Sequence, residues 1–333
     1  MAILTVGVGQ SIQAAIDAAS SGDTIDVAAG TYVDQFLTVR TSLTLQAVGG
    51  QVVMTEDTQP PNGKAMITEG ANGISVAING FDISGVSVPD GNGAAIRYEG
   101  GALSLSGDAF HNNQEGLLGA ADSNGSIAID HSEFSANGDG SGSTHNIYVG
   151  AIASFSLTNS YIHDAVVGHE VKSRAANNTI TGNRIFDNGG SASYSIDLPN
   201  GGNATISGNT IEQGPNTQNP AIFAWGEEGN TNGGMMFITG NTIVNDDPSG
   251  YGVLGGPASF TNNQDWDLAN LGNVLASGNV DLASRPVLDT SSLDFTNTGT
   301  VTPPPPPPIV HGHGHGHGHT HITSQLGVVA DRQ

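Results

Sequence analysis

One phrase recurs seven times along this chain, and it constrains the fold more than any other feature. An apolar residue is followed by two small or polar residues, then Asn or an equivalent, any residue, and a second apolar one. The clearest copies are Ile180-Thr-Gly-Asn183-Arg-Ile185, Ile206-Ser-Gly-Asn209-Thr-Ile211 and Ile238-Thr-Gly-Asn241-Thr-Ile243. The openings Ile78, Leu105, Ile129, Leu157, Ile180, Ile206 and Ile238 are spaced by 27, 24, 28, 23, 26 and 32 residues. Periods in the twenties, with insertions absorbed between copies, mark a solenoid whose coils each hold a few short strands. Leucine-rich repeats overlap in period, but their Leu-x-x-Leu-x-Leu signature is missing.

A second apolar column precedes the first. Ile96, Leu118, Ile147, Val171, Ile196 and Phe223 lie 9, 11, 10, 9, 10 and 15 residues before the matching openings. Composition agrees with a column of strands and tight turns. There are 48 Gly, which tolerate the positive φ of turns, while charged residues make up 12% and aromatics 5%. Only 37% of residues are hydrophobic, enough for a narrow core filled by alternate side chains.

At the N-terminus, Ser11 is placed to cap a short helix with Ile12, Ala15, Ile16 and Ala19 on its apolar face. Gly22-Asp23 ends it, and Thr24-Ile-Asp-Val27 begins the first strand. A helix there covers the open end of a β-column. Gln10-Ser-Ile-Gln-Ala-Ala-Ile-Asp17, then Gly22-Asp23-Thr-Ile25 and Gly30-Thr-Tyr32, resembles the opening of pectate lyase-like right-handed β-helix proteins. With the Asn-bearing repeats the resemblance spans residues 8 to 263. It implies an all-β, right-handed parallel β-helix. The expected organisation is a cap and first coil over 1–35, the helix over 36–300, and a tail over 301–333. Residues 264–300 read as a last irregular coil or a segment lying along the column. Pro303 to Pro308 form a polyproline spacer, and the His-Gly tail beyond is expected to be disordered.

Alternation assigns faces to the strands. With Ile147, Val171 and Ile196 inward, Asn146, Glu170 and Ser195 are expected in one outward row. Tyr148, Lys172 and Asp197 form the next, with Arg97 further toward the N-terminus. His145, His169 and Tyr194 are also in register and are expected to stack. Much of the chain's scarce basic and imidazole chemistry thus falls in one patch. It reads either as a sugar-binding or catalytic face, or as a salt-bridge ladder on a solvated sheet.

As an active face, the patch has candidates for each role. β-Elimination of a uronate needs a group to neutralise the carboxylate, such as Lys172, Arg174 or Arg97. It also needs a base to remove the C5 proton, such as Tyr148, His145, His169 or Lys172. Hydrolysis needs two carboxylates, for which Glu170 and Asp197 are the nearest pair. Asn146, Tyr194 and Trp225 complete the candidate contacts, with Trp225 either stacking on a sugar or packing under the loop 230–234. Glu170-Val-Lys172-Ser173, with Asn178 and Asn183, resembles chondroitinase B-type and alginate lyases. That resemblance implies Lys172 as base. The family's Arg position falls near Asp197, however. Ala165 and Val167 stand where its two calcium-binding Glu would be, so calcium is not expected. Asn183, Asn209 and Asn241 read instead as turn residues forming an internal amide ladder.

Charge narrows the partners. With 8 Lys and Arg and a net charge of −23, nucleic acid is excluded, and a polyanionic glycan requires a local basic spot. No stretch approaches a membrane span. No basic-then-apolar leader is visible over Met1 to Gln10, and the acidic, Gly- and Asn-rich style resembles bacterial type I secretion substrates. No cofactor is required. The alternating His311, His313, His315, His317, His319 and His321 form a candidate site for Zn, Ni or Cu. The expectation is an extracellular bacterial protein acting on polysaccharide, with lyase or epimerase chemistry ahead of hydrolysis. The alternative is a non-catalytic adhesin or surface solenoid with a metal-binding tail.

Overall fold

A computed structural model describes residues 1–70 and 73–295. The proline run, His311 to His321 and the expected 301–333 segment lie outside the described residues. Parallel strands stack in three ladders to form a β-solenoid. One ladder runs from Ile3–Val6 to Leu275–Ser277. A second runs from Phe81–Ser84 to Val280–Asp281 and fuses with the first where the long strands Asp23–Val33 and Leu43–Thr55 belong to both. The third has nine strands, from Leu37–Val39 to Tyr251–Gly255, one for each of about nine turns.

The recurring apolar openings are one row of the first ladder. Ile78, Leu105, Ile129, Leu157, Ile180, Ile206 and Ile238 face one another rung by rung, and all are buried. Leu45 and Phe260 extend the row in both directions. Equivalent residues are therefore about 4.8 Å apart. The second column also holds, with one correction. Leu117, not Leu118, pairs with both Ile96 and Ile147 and is buried. Two adjacent leucines satisfy alternation in either phase, and a one-residue slip exchanges the faces.

The Asn residues hold the corner between the first two ladders. Gly182, Gly208 and Gly240 have φ of 71°, 64° and 65°, which permits the sharp bend before each Asn. Asn209 Oδ1 accepts from the backbone N–H of Asn183 at 2.9 Å and from its Nδ2 at 3.0 Å. Asn241 and Asn263 receive the next rungs in the same way. Toward the N-terminus, Ser160, Ser132 and Asp108 carry the row on with hydroxyl or carboxylate oxygens. A polar row can sit in the core because each of its groups finds a partner there.

The helix Ile12–Ala18 begins where expected, with Ser11 Oγ accepting from the Ala14 N–H at 3.2 Å. Ile12 and Ile16 are buried against the first strands. The first strand is not Thr24–Val27, however, because Ile3–Val6 pairs beside it. After the last ladder strands, a strap over 285–295 runs back along the column. Arg285 meets Asp246 at 2.7 Å, Arg184 meets Asp289 at 3.1 Å, and Glu133 accepts from Ser292 Oγ at 3.0 Å and Leu293 N–H at 2.8 Å.

Candidate functional site

The third ladder carries the patch. Its outward row reads Thr68, Arg97, Leu118, Tyr148, Lys172, Asp197 and Ala224. Tyr148, Lys172 and Asp197 are thus adjacent rungs. Arg174 lies two residues after Lys172, so alternation returns it to the same face. Its Nε donates to Tyr148 Oη at 2.9 Å, and its guanidinium lies 5.9 Å from the centre of that ring. Lys172 Nζ is 3.4 Å from Asp197 Oδ2 and 2.9 Å from Glu228 Oε1. Arg174 Nη2 meets the other Glu228 oxygen, and Nη1 meets Asn200.

The imidazoles lie beside this row. His145 and His169 stack at 4.6 Å between ring centres, and His169 stacks on Tyr194 at 5.1 Å. The backbone N–H of His169 donates to His145 Nδ1 at 3.0 Å, and that of Tyr194 to His169 Nδ1 at 3.3 Å. Both rings are held neutral. Burial lowers His145 well below the usual range, helped by His169 and Lys172. Burial, then Lys172, brings His169 down to about 3. A neutral ring whose Nδ1 accepts an N–H carries its proton on Nε2. His169 Nε2, 3.4 Å from Asp197 Oδ2, therefore presents a donor there rather than a base.

Asp197 is the most constrained group on the face. It is 3% exposed, and its Oδ1 has no hydrogen-bond partner among the described residues. Burial pushes its carboxyl up to about 6 against the opposing pull of Lys172. It therefore titrates nearer neutrality than an ordinary carboxylate.

Several expected members of the patch lie elsewhere. Asn146, Glu170 and Ser195 are buried and do not form an outward row, because each precedes its strand, Ile147–Val149, Val171–Ser173 or Ile196–Leu198, rather than lying in it. They stand where the chain turns into the strand, so their side chains fill the corner rather than follow strand alternation. Asn146 Oδ1 accepts from Asn137 Nδ2 at 2.7 Å, and its Nδ2 donates to Glu170 Oε2 at 2.5 Å. Glu170 Oε1 accepts from the Ala165 N–H at 2.9 Å, and burial raises that carboxyl to about 8. Trp225 faces inward, 1% exposed, and donates its indole N–H to the Gly202 carbonyl at 3.1 Å, which leaves no face for a sugar. Arg97 stands three rungs from Lys172 and pairs with Glu99 of its own coil at 2.6 Å.

Sequence reasoning gave no role to Glu228 or Asn200, which reach the patch from loops outside the register. It also passed over a second cluster. There Arg184 lies 4.2 Å from the centre of the Tyr161 ring, and His163 bridges Asp164 at 2.6 Å and Glu133 at 3.3 Å. Against the pull of burial, those two carboxylates lift His163 to about 9. No group of three or more His, Asp or Glu among the described residues is arranged to hold a metal ion.

No family model matches the chain, and no curated protein matches it closely. Solved structures do share its fold. Pectate lyase Pel9A is similar with a TM-score of 0.64 at 18% identity, over 91% of this chain and 88% of that one. ORF18 of Geobacillus virus E2 is similar with a TM-score of 0.54 at 14% identity, over 83% of this chain and 60% of that one. An alginate lyase from Paenibacillus sp. str. FPU-7 is similar with a TM-score of 0.52 at 16% identity, over 84% of this chain and 99% of that one. The fold is thus a pectate lyase-like parallel β-helix.

Proposed function

We propose that this is an extracellular, polysaccharide-acting β-helix protein whose face at Tyr148, Lys172 and Arg174 takes an acidic glycan. One observation carries the reading. In a chain of net charge −23, two of eight Lys and Arg stand two residues apart on one outward face, beside an aromatic hydroxyl. That is the local basic spot an acidic polymer requires. The likeness in fold to a pectate lyase and an alginate lyase supports a polysaccharide over other polyanions.

The chemistry we assign is β-elimination at a uronate. Arg174 holds the carboxylate, which stabilises charge developing at C5. Tyr148, whose hydroxyl oxygen accepts from Arg174 Nε, takes the C5 proton, the C4=C5 bond forms, and the C4 oxygen leaves with the electron pair and is then protonated. Returning a proton to the opposite face of C5 instead gives epimerisation. The hydrolytic pair expected of Glu170 and Asp197 is not assigned, because Glu170 is sealed in a corner. The helix Ile12–Ala18 is assigned to close the N-terminal end, and His311 to His321 to bind Zn, Ni or Cu.

Incubation with polygalacturonate or alginate tests the enzyme reading. Unsaturated product is expected to absorb in the ultraviolet, and Lys172→Ala and Tyr148→Phe to reduce its formation at least a hundredfold. A second reading, a non-catalytic glycan-binding solenoid, is favoured by the engagement of both cations with acidic side chains of the chain itself. Glycan binding with no product on any uronate polymer selects it. No binding to any acidic glycan rejects both.

A further inference from the structure

The coil between Ile206 and Ile238 is the longest of the seven-copy series, at 32 residues. Part of its extra length is the loop after Trp225, which turns back over the patch. The loop is fastened to the neighbouring coil. Gly226 N–H donates to the Leu198 carbonyl at 2.9 Å, Glu228 N–H to Pro199 at 3.0 Å, and Asn232 N–H to Asn200 at 3.0 Å. Asn200 Nδ2 also donates to Thr231 Oγ1 at 3.0 Å. The backbone so fixed delivers one carboxylate, Glu228, to the two cations.

The placement has the form of ligand recognition. One oxygen goes to Lys172 and the other to Arg174. Burial opposes ionisation of Glu228, but hydrogen bonds from Lys172 and Arg174 outweigh it and hold the carboxyl below its usual range. The side chain is still 47% exposed, so it can rotate into solvent while the loop stays fastened. Lys172 and Arg174 are only 12% and 22% exposed and have less freedom to leave.

We propose that Glu228 is a built-in competitor, seated where the carboxylate of a uronate ligand binds and displaced by it. This rests on the acidic-glycan reading above. It adds that the Lys172–Arg174 pair is a carboxylate subsite filled by the chain itself in the free protein. Affinity for an acidic glycan is then reduced by the cost of moving Glu228 out, and neutral glycans gain nothing from its removal.

The test is calorimetric binding of polygalacturonate and of neutral dextran to the full chain, as wild type and as Glu228→Gln. Glu228→Gln is expected to bind polygalacturonate about five- to tenfold tighter, because a neutral amide competes less well for two cations. Dextran binding is expected to stay unchanged. Weaker or equal polygalacturonate binding by Glu228→Gln, with wild-type binding intact, overturns the competitor and leaves the acidic-glycan reading standing. Absence of polygalacturonate binding in both proteins overturns the two together. A second measurement does not depend on the substitution. Amide exchange of residues 226–232 in the wild type is expected to be unaltered by polygalacturonate while the Glu228 side-chain carboxyl resonance shifts. An unmoved Glu228 resonance under saturating polymer overturns the proposal.

Discussion

The Asn corner and the Tyr148–Lys172–Asp197 row are built by the same device, one residue per coil placed rung on rung, yet they differ in every chemical respect. In the corner the rungs repeat: Asn183, Asn209, Asn241 and Asn263 make the same bonds with the same partners. On the outward face each rung differs, and a loop from outside the register completes the set. Uniform rungs make a self-satisfied spine, because the amide of each coil is what the next one needs. Varied rungs assemble acid, cation and hydroxyl within contact of one another, and the cost of desolvating Lys172 and Asp197 offsets much of their attraction.

That contrast can be broken or sharpened by experiment. The largest effect concerns the imidazole stack beside the face. His169 titrates at about 3 when folded and near 6.5 when unfolded, so its contribution is complete above pH 6.5 and lost as pH falls toward 3. The loss is on the order of 4 kcal/mol. Urea titrations across that range should show wild type losing stability that His169→Gln does not lose; parallel curves reject the assignment. In the corner, Asn209→Ala removes the acceptor of two Asn183 donors and the partner of the Ile180 carbonyl. It should cost about 3 kcal/mol in urea unfolding. Lys172→Met removes the cation beside Asp197 and should raise that carboxyl by about one unit above its value near 6, followed by carboxyl-carbon NMR. The smallest change is Tyr148→Phe, which should alter stability by less than about 1 kcal/mol while suppressing product formation. If Asn209→Ala costs no more than Tyr148→Phe, spine and face are not different in kind.

Rows that point straight in or straight out were legible in the sequence, because period-two alternation and a period in the twenties fix both face and neighbour. That covers the isoleucine column, the adjacency of Tyr148, Lys172 and Asp197, and the stacking of His145 on His169. The failures fall where alternation stops. Asn146 and Glu170 sit at a corner, where backbone groups demand side-chain partners and turn the residues inward. Leu117 and Leu118 are chemically alike, so nothing local sets the phase. Trp225 is in phase with the inward row, but a ring beside a long glycine-rich loop reads equally as a sugar platform or as packed under that loop until the Gly202 carbonyl is found at its indole N–H. Glu228 is 54 and 56 residues from its partners and belongs to no row, so no periodic signal points to it.

Interchangeable rungs also make the coil a unit of excision. Removing the 26 residues 181–206 would join Ile180 to Ser207 and bring Asn209 under Ser160, with an oxygen ready for the N–H that Asn183 had served. The shortened column needs no new bond type at that seam. The same cut would set Lys172 beside Ala224 in place of Asp197. A lineage that gains or loses whole turns can therefore keep its scaffold while discarding its chemistry in one step.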